Sequence, residues 1–413
     1  MKGLDVAYVL LRFPFLTETF VAEEIRKVQS LGVRVHLFSL LPARKELVHP
    51  LSAELVSQVR YVPEIYSPSL WGAQLHFLLR TPGRFFKLLW TLLRQPAPGF
   101  SFLAKRLVTF LKGVWLAKEL EESTVQLVHA HFAWLSAAAG LIVSQLLDLP
   151  FTITTHAYDI YSYNNDLLEL TTKTADRVVT ISEYNKQAML EMTSALNEQQ
   201  IEIIHCGIDL DRFRVEDRES ADGVFQITSV GSLIEKKGHE YLIRACSELQ
   251  VRGIDFRCVI VGGGQLREPL QALIQELNLE DKAILAGTQT QTWVRDRLGE
   301  SDLFVLACAV TDGGGRDGIP VALMEALAME VPVVSTSVSG IPELVRHDET
   351  GLLVPQKDPV ALAAAIARLA QDEFLRHRLA TNGRTLVERE YDIWKNAGRL
   401  AELFQRVIEE RRE

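Results

Sequence analysis

Leu4-Asp-Val-Ala-Tyr-Val-Leu-Leu11 is a short apolar run. It leads into the loop Arg12-Phe-Pro-Phe-Leu-Thr-Glu-Thr-Phe20, a helix-forming stretch over 20–31, a stop at Gly32 and a second apolar run over 33–40. Short apolar runs bounded by turn residues read as buried strands. Strand, helix, strand in that order implies two parallel strands joined by a helical crossover. The pattern continues outward. Runs at 127–131, 151–155, 177–182 and 201–204 extend the first sheet. The polar, charge-crowded stretch 209–223 reads as a linker. Runs at 225–230, 256–261, 283–286, 302–307, 331–334 and 351–354 then build a second sheet, and the chain is mostly helical from Pro359. The expected fold class is α/β: two Rossmann-like parallel-sheet domains, each presenting its strand-end loops to a shared cleft. The first loop lacks a G-x-G-x-x-G fingerprint, so a dinucleotide-binding reading has no support there.

The chain has 413 residues, 47% apolar and 23% charged, with a net charge of −9. That is an ordinary globular composition, long enough for two or three domains and unlike a generic nucleic-acid binder. The four cysteines, Cys206, Cys246, Cys258 and Cys308, form no C-x-x-C pair, which points to a reduced compartment and to no zinc site. The amino terminus reads as a strand rather than a signal peptide, and no apolar run is long enough for a membrane-spanning helix. Residues 65–118 stand apart. They contain no Asp or Glu but carry Arg80, Arg84, Lys87, Arg94, Lys105, Arg106, Lys112 and Lys118 among many aromatic residues, with breaks at Pro82, Pro96 and Pro98. Such a basic, aromatic, helix-prone segment suits contact with an anionic membrane surface, its aromatic side partly on the domain core and its basic side toward lipid. The alternative is a helical excursion packed on the first domain.

Chemistry concentrates in a few strand-end loops. Thr311-Asp-Gly-Gly-Gly-Arg-Asp-Gly-Ile-Pro-Val-Ala-Leu-Met-Glu325 reads as a glycine-rich loop feeding a helix, with Pro320 suited to the first helical position. A helix start offers unpaired N–H groups and a positive dipole end to an anion. Asp317 and Glu325 flank it as two acceptors for hydroxyls, the layout of a nucleotide sugar; a helix cap plus a solvated glutamate is the plainer alternative. Lys236 and Lys237 follow the first strand of the second domain. Glu18 and Thr19 follow the first strand of the first domain, where helix capping is the competing role. His131 and His156 stand at the carboxyl ends of strands; His131 reads rather as a hydrogen-bonded structural residue, His156 rather as a ligand contact. Asp209 and Asp211 make a D-x-D triplet, read as a solvated turn rather than a metal site.

Taken together, these motifs resemble the retaining family-four glycosyltransferases of the GT-B fold. The likeness is carried by Val230-Gly-Ser-Leu-Ile-Glu-Lys-Lys-Gly238, Asp317-x7-Glu325, Ser339-Gly-Ile-Pro-Glu343 with Gly351-Leu-Leu-Val-Pro355, and His205-Cys-Gly-Ile-Asp209. Phe13-Pro-Phe-Leu-Thr-Glu-Thr-Phe20 and His129-Ala-His-Phe132 resemble the subgroup that builds bacterial exopolysaccharides such as colanic acid. The resemblance implies an acceptor-side domain over 1–208, a donor domain over 209–390 and a final helix, 391–413, returning to the first domain. It implies that Lys237 neutralises the donor diphosphate, Glu325 binds the ribose, Asp317 holds a sugar hydroxyl, and His156 contacts the sugar near the reacting carbon. The main chain at Gly318, Ile319, Pro320 and Val321 would face the donor; Glu18, Thr19 and His131 would lie on the acceptor side.

The same resemblance implies a metal-independent enzyme with no cofactor. Its donor would be a UDP- or GDP-linked sugar and its acceptor a glycolipid or oligosaccharide of bacterial surface polysaccharide. Nucleic acid is not an expected partner. The expected location is cytoplasmic, peripheral at the inner face of the plasma membrane. Two departures from the family pattern matter. Asp317 stands where Glu is usual, and Ser232 where Arg usually shares the diphosphate, removing a charge-assisted contact worth about 1.5–3 kcal/mol. Arg316 next to Asp317, with Lys236 beside Lys237, lies near, and Arg316 is expected to supply the missing charge from the other side of the phosphate; the alternative is that Ser232 only donates a hydrogen bond and donor binding is weaker. A nucleotide-sugar epimerase of the same fold and a non-catalytic nucleotide-binding subunit are the alternatives.

Overall fold

The computed structural model describes residues 3–15, 18–43, 53–97, 99–161, 166–193, 196–214 and 223–413. Leu16 and Thr17 of the first loop, Pro98, and 215–222 of the linker lie outside the described residues. The chain forms two compact units, Met1–His205 with Trp394–Glu413, and Cys206–Ile393.

The first unit holds a seven-stranded sheet. Its strands are β1 (Asp5–Arg12), β2 (Arg34–Leu41), β3 (Val59–Tyr61), β4 (Leu127–His131), β5 (Phe151–Thr155), β6 (Arg177–Thr180) and β7 (Ile201–Ile203). They run parallel in the order β3-β2-β1-β4-β5-β6-β7. Successive side chains of a strand point to opposite faces. β1 therefore sends Ala7 and Val9 into one core and Val6, Tyr8 and Leu10 into another. Helices cover both faces, as a parallel sheet requires. Helix Thr19–Ser30 and the last helix, Ile393–Glu410, share the Tyr8 side, with Val21, Ile25, Leu400 and Phe404 buried there. The acid-free segment forms helices Pro68–Arg80, Pro82–Leu93 and Phe100–Leu120. These bury Leu70, Phe77, Phe85, Phe110 and Val114 on the other side.

Two of the eight basic residues of that segment turn inward, where the expectation put the basic side toward lipid. Arg106 is 1% exposed. It is ion-paired with Asp166 and donates to the carbonyls of Leu92, Gln95 and Pro96. Lys112 is buried and donates to the Leu40 carbonyl. Burying a charge is costly unless it is paired and hydrogen-bonded, and these contacts meet that condition. Arg84, Lys87, Arg94 and Lys105 are exposed. So are Trp71, Leu75, Leu79, Phe86, Trp90 (67%) and Phe100 (85%). Among the described residues, no helix is long and apolar enough to cross a membrane.

The second unit holds a six-stranded parallel sheet in the order β10-β9-β8-β11-β12-β13. Its strands are β8 (Phe225–Val230), β9 (Phe256–Val261), β10 (Ala283–Gly287), β11 (Leu303–Leu306), β12 (Val333–Thr336) and β13 (Leu352–Val354). Apolar clusters again fill both faces, one around Ile227, Cys258 and Leu303, the other around Phe304, Leu323 and Val333.

Candidate active site

In each sheet the chain order reverses once near the middle, between β1 and β4 and between β8 and β11. Ligands of open parallel sheets bind outside the carboxyl ends of strands at such reversals. The candidate residues fall at these two places, one in each unit.

In the second unit, the loop after β8 contains Ser232 and ends in a tight turn, Glu235–Lys237. Gly238 then takes φ +66°, and a Cβ there would lie 1.7 Å from the Ala307 carbonyl. Only glycine permits this approach, which seats the lysines against the end of β11. The Ala309 N–H reinforces the seat by donating to the Lys236 carbonyl at 3.0 Å. A second close approach supports the loop from beside: Gly262, at φ +150°, would place a Cβ 2.0 Å from the Gly231 carbonyl.

The loop after β11 brings Asp317 to the lysines. Asp317 Oδ1 is 2.9 Å from Lys236 Nζ, and Oδ2 is 2.7 Å from Lys237 Nζ. Burial pushes the Asp317 carboxyl up, but Lys237 and Lys236 beside it outweigh burial and hold it down at about 2. Burial pulls the Lys237 ammonium down, yet the Asp317 carboxylate reverses this and leaves it raised. Two ammonium groups against one carboxylate leave net positive charge at neutral pH. Asp317 thus has both oxygens engaged by lysines, with Cys308 Sγ at 3.6 Å from Oδ2. A carboxylate has about four acceptor positions, so room for a hydroxyl donor remains.

The neighbouring helix is Val321–Ala328. Pro320 is its N-cap, one place before the expected first helical position. Having no N–H, Pro320 contributes shape and no donor; Gly318, Ile319 and Val321 carry the main-chain N–H groups of this stretch. Of the three successive glycines, Gly314 alone has positive φ, and the loop closes on itself through Thr311 N–H to the Gly315 carbonyl at 3.0 Å. Arg316 Nε donates to the Gly314 carbonyl at 3.0 Å. Glu325 lies within the helix, where burial raises its carboxyl to about 7 against the opposing pull of Gln291 and Arg212. Gln291 Nε2 is 3.5 Å from Glu325 Oε1, and Arg212 donates to Gln291 Oε1 at 2.8 Å.

Arg212, Gln291, Cys308 and His239 were not singled out from sequence. The His239 ring spans Ser229 Oγ and the Gly231 carbonyl, at 3.5 and 3.3 Å. Burial and the nearby Lys237 lower it to about 4, so it buttresses the loop as a neutral ring.

In the first unit, Glu18 is the N-cap of helix Thr19–Ser30 but makes no side-chain cap bond, and Thr19 is the first helical residue. Burial raises the Glu18 carboxyl to about 7, opposed by His131. Glu18 lines a cavity of about 310 Å³ with Phe102, Lys105, Phe132, Trp134 and Tyr158. His131 Nδ1 lies 3.2 Å from His156 Nε2, and His131 Nε2 lies 3.1 Å from Glu24 Oε1. Burial, then His131, lowers the His156 pKa well below the ordinary histidine value. Asp159, raised to about 7 by burial, accepts the main-chain N–H groups of His156 and Ala133, each at 2.7 Å.

Among the described residues, Glu24, His129 and His131 bring ligand-type atoms within 4.8 Å of one another, a grouping that could hold a metal ion. Hydrogen bonds already engage each nitrogen: Thr152 and Thr154 hydroxyls meet the two nitrogens of His129, and Glu24 and His156 meet those of His131. Asp209 and Asp211 form a turn closed by Asp211 N–H to Asp209 Oδ1 at 3.1 Å.

Two parallel-sheet units with charged and polar groups at both strand reversals fit a two-domain enzyme, and the comparisons give its class as glycosyltransferase. Residues 17–212 match the family described as Glycosyltransferase Family 4, and residues 212–386 match Glycosyl transferases group 1. The chain thus carries a Glycosyltransferase Family 4 domain followed by a Glycosyl transferases group 1 domain and is a glycosyltransferase. It is 27% identical over 413 residues to WcaL of Salmonella typhimurium, named for colanic acid biosynthesis, spanning 98% of this chain and 100% of that one. It is 37% identical to the amylovoran biosynthesis glycosyltransferase AmsK of Erwinia amylovora, over 51% of each chain. In structure it resembles Anabaena HepE in complex with UDP, with a TM-score of 0.73 at 15% identity, covering 98% of this chain and 100% of that one. The glycosyltransferase from Rickettsia africae gives a TM-score of 0.72 at 17% identity over 98% of both chains. The fold is GT-B. These likenesses support a transferase over an isomerase or a non-catalytic subunit.

Proposed function

We propose that the protein transfers a sugar, with retention and without a metal, from a UDP- or GDP-sugar to a lipid-linked or oligosaccharide acceptor in bacterial exopolysaccharide synthesis. The observation that carries this reading is the Lys236–Asp317–Lys237 group beside the helix Val321–Ala328. Such a group supplies net positive charge to a leaving diphosphate, and preorganised charge of this kind is usually the largest catalytic contribution. Lys237 and Lys236 neutralise the diphosphate as the bond from the anomeric carbon to its phosphate oxygen breaks. Glu325 receives the ribose hydroxyls, Asp317 a sugar hydroxyl, and His156 faces the sugar near the reacting carbon. The acceptor oxygen attacks from the face that the diphosphate leaves, and the departing phosphate oxygen takes its proton. Arg316 supplies the charge missing at Ser232, while Glu18, Thr19 and His131 serve the acceptor side. The names of WcaL and AmsK support the polysaccharide context, and the UDP held by HepE supports a uridine-linked donor.

The test is a panel of nucleotide sugars offered to the purified protein with lipid-linked acceptor, reading released nucleotide and product stereochemistry. An inverted product refutes the mechanism, and conversion of donor without acceptor points to an isomerase.

For location, we propose a peripheral site on the cytoplasmic face of the plasma membrane. The exposed aromatic and basic residues of 65–118, among them Phe86, Trp90, Arg84 and Lys87, support it. Flotation with anionic vesicles at low salt tests this: Trp90→Ala with Phe86→Ala should reduce recovery in the lipid fraction several-fold, and absence of wild-type flotation refutes it.

A further inference from the structure

We propose that Glu24 is a positioning residue that fixes the proton order of His131 and, through it, of His156; the catalytic meaning of this rests on the role given above to His156. Three segments distant in sequence meet here: the helix after β1, the end of β4 and the residue following β5. Glu24 Oε1 meets two donors, Tyr8 Oη at 3.2 Å and His131 Nε2 at 3.1 Å. A carboxylate only accepts, so the proton of the second contact belongs to His131 Nε2. Taken as neutral, the His131 imidazole carries one N–H, which leaves Nδ1 as a lone pair; a His131 cation would carry an N–H at both nitrogens and reverse the order, which the spectra below tell apart. That lone pair faces His156 Nε2 at 3.2 Å, so the proton of this bond belongs to His156 Nε2. His156 is then left with an accepting Nδ1.

Packing holds the order in place. The His131 and His156 rings stack at 5.5 Å with 14° between their planes, and both residues are buried. Phe20 and Phe132 bracket His156 with ring centroids at 4.9 and 4.7 Å. The His156 main chain is tied to Asp159. Neither ring can turn over without displacing these neighbours. The other ring of the group, His129, shares its hydrogen bonds with two threonine hydroxyls and stands outside the chain.

The order decides what His156 does to a sugar. With Nδ1 accepting, a sugar hydroxyl that reaches it donates its proton, and the hydroxyl oxygen becomes more electron-rich beside a carbon gaining positive charge. With the reverse order, His156 would donate and withdraw electron density instead. A carboxylate that sets an imidazole tautomer without touching the reacting atoms is a known device in other enzymes.

The test reads the protons directly. Histidine-selective 15N labelling with long-range 1H–15N spectra, assigned with single histidine variants, should show protonated Nε2 and unprotonated Nδ1 for both His131 and His156. Glu24→Leu removes the acceptor and should invert both tautomers, lowering kcat about tenfold or more while the donor KM changes less than about twofold. Glu24→Gln keeps an acceptor oxygen and should preserve the order, with kcat within about threefold of wild type. A protonated Nδ1 on wild-type His156 overturns the proposal, as does Glu24→Gln losing as much kcat as Glu24→Leu with its tautomers unchanged. Stoichiometric metal bound through Glu24, His129 and His131 in the purified protein overturns it too. If Glu24→Leu does not fold, the wild-type and Glu24→Gln spectra still decide. Those spectra need no turnover, so failure of the transferase reading and failure of this proposal are told apart.

Discussion

The two strand-end sites share a topology and differ in their electrostatics. In the second unit the reversal between β8 and β11 gathers full charges, Lys236, Lys237 and Asp317, each paired with an opposite charge. In the first unit the reversal between β1 and β4 gathers buried imidazoles, with His129 and His156 pushed by burial toward the neutral form. On the function proposed above, the same backbone device serves two purposes. A charged cluster fits a ligand that arrives with charge of its own, a diphosphate. Hydrogen-bonded imidazoles around a single carboxylate, Glu24, fit a ligand that must be oriented by hydrogen bonds, a sugar.

The strongest way to break this contrast is Lys237→Ala. If charge is what the second unit contributes, kcat should fall about 10²–10³-fold in a nucleotide-release assay, whereas His129→Gln should leave donor affinity, measured by calorimetry, within about twofold. A smaller effect is expected from Asp317→Asn, which strands two ammonium groups and should cost about 2 kcal/mol of stability at pH 7 by denaturant titration. The pH dependence has a defined sign. The Asp317 carboxyl lies at about 2 in the fold against an ordinary 3.8. Its stabilisation is therefore present above about 4 and is lost as pH falls toward 2. The gap between wild type and Asp317→Asn should stay constant from pH 7 to 4 and close below that.

Glu325 sharpens the contrast inside the second unit, since its carboxyl is raised to about 7. Ribose hydroxyls donate, so they favour the ionised form and lower this value on binding. Donor affinity should then rise about five- to tenfold between pH 6 and 8 and level off above, with Glu325→Gln flat across the range. A nucleotide sugar, whose diphosphate does not titrate there, is the ligand to use. The smallest effect is expected for Arg316→Ala, a rise in donor KM of about threefold; no change in KM or kcat removes Arg316 from the site.

Most of the fold was legible because buried parallel strands are short apolar runs. Leu127–His131, Phe151–Thr155, Phe225–Val230 and Phe256–Val261 lie where those runs lie. β3, Val59–Tyr61, escaped notice: it is an edge strand of three residues with Arg60 in its middle, too short and polar to leave a pattern. In the second unit, Asp317 and Glu325 lie on one continuous loop and helix, so both could be picked out from a single stretch of sequence. Glu24 could not be joined to His131 and His156, because only the strand order brings residues 107 and 25 positions apart into one chain of hydrogen bonds. The acid-free segment shows the same limit. Composition revealed its basic and aromatic character, but not that Arg106 would find Asp166 across 60 residues.

The return of the last helix to the first unit makes the whole second unit an insertion within it. Synthesis runs from the amino terminus, so the first sheet leaves the ribosome with its Tyr8 face covered only in part, by helix Thr19–Ser30. That face includes Tyr8 and His129, whose rings lie 6.1 and 4.9 Å from Phe404 in the finished protein. Residues 206–393 must all emerge before the cover arrives. Maturation is therefore ordered in time: the second unit can fold while the chain is still being made, and the faces of Tyr8 and His129 that meet Phe404 are covered only after the last helix is released.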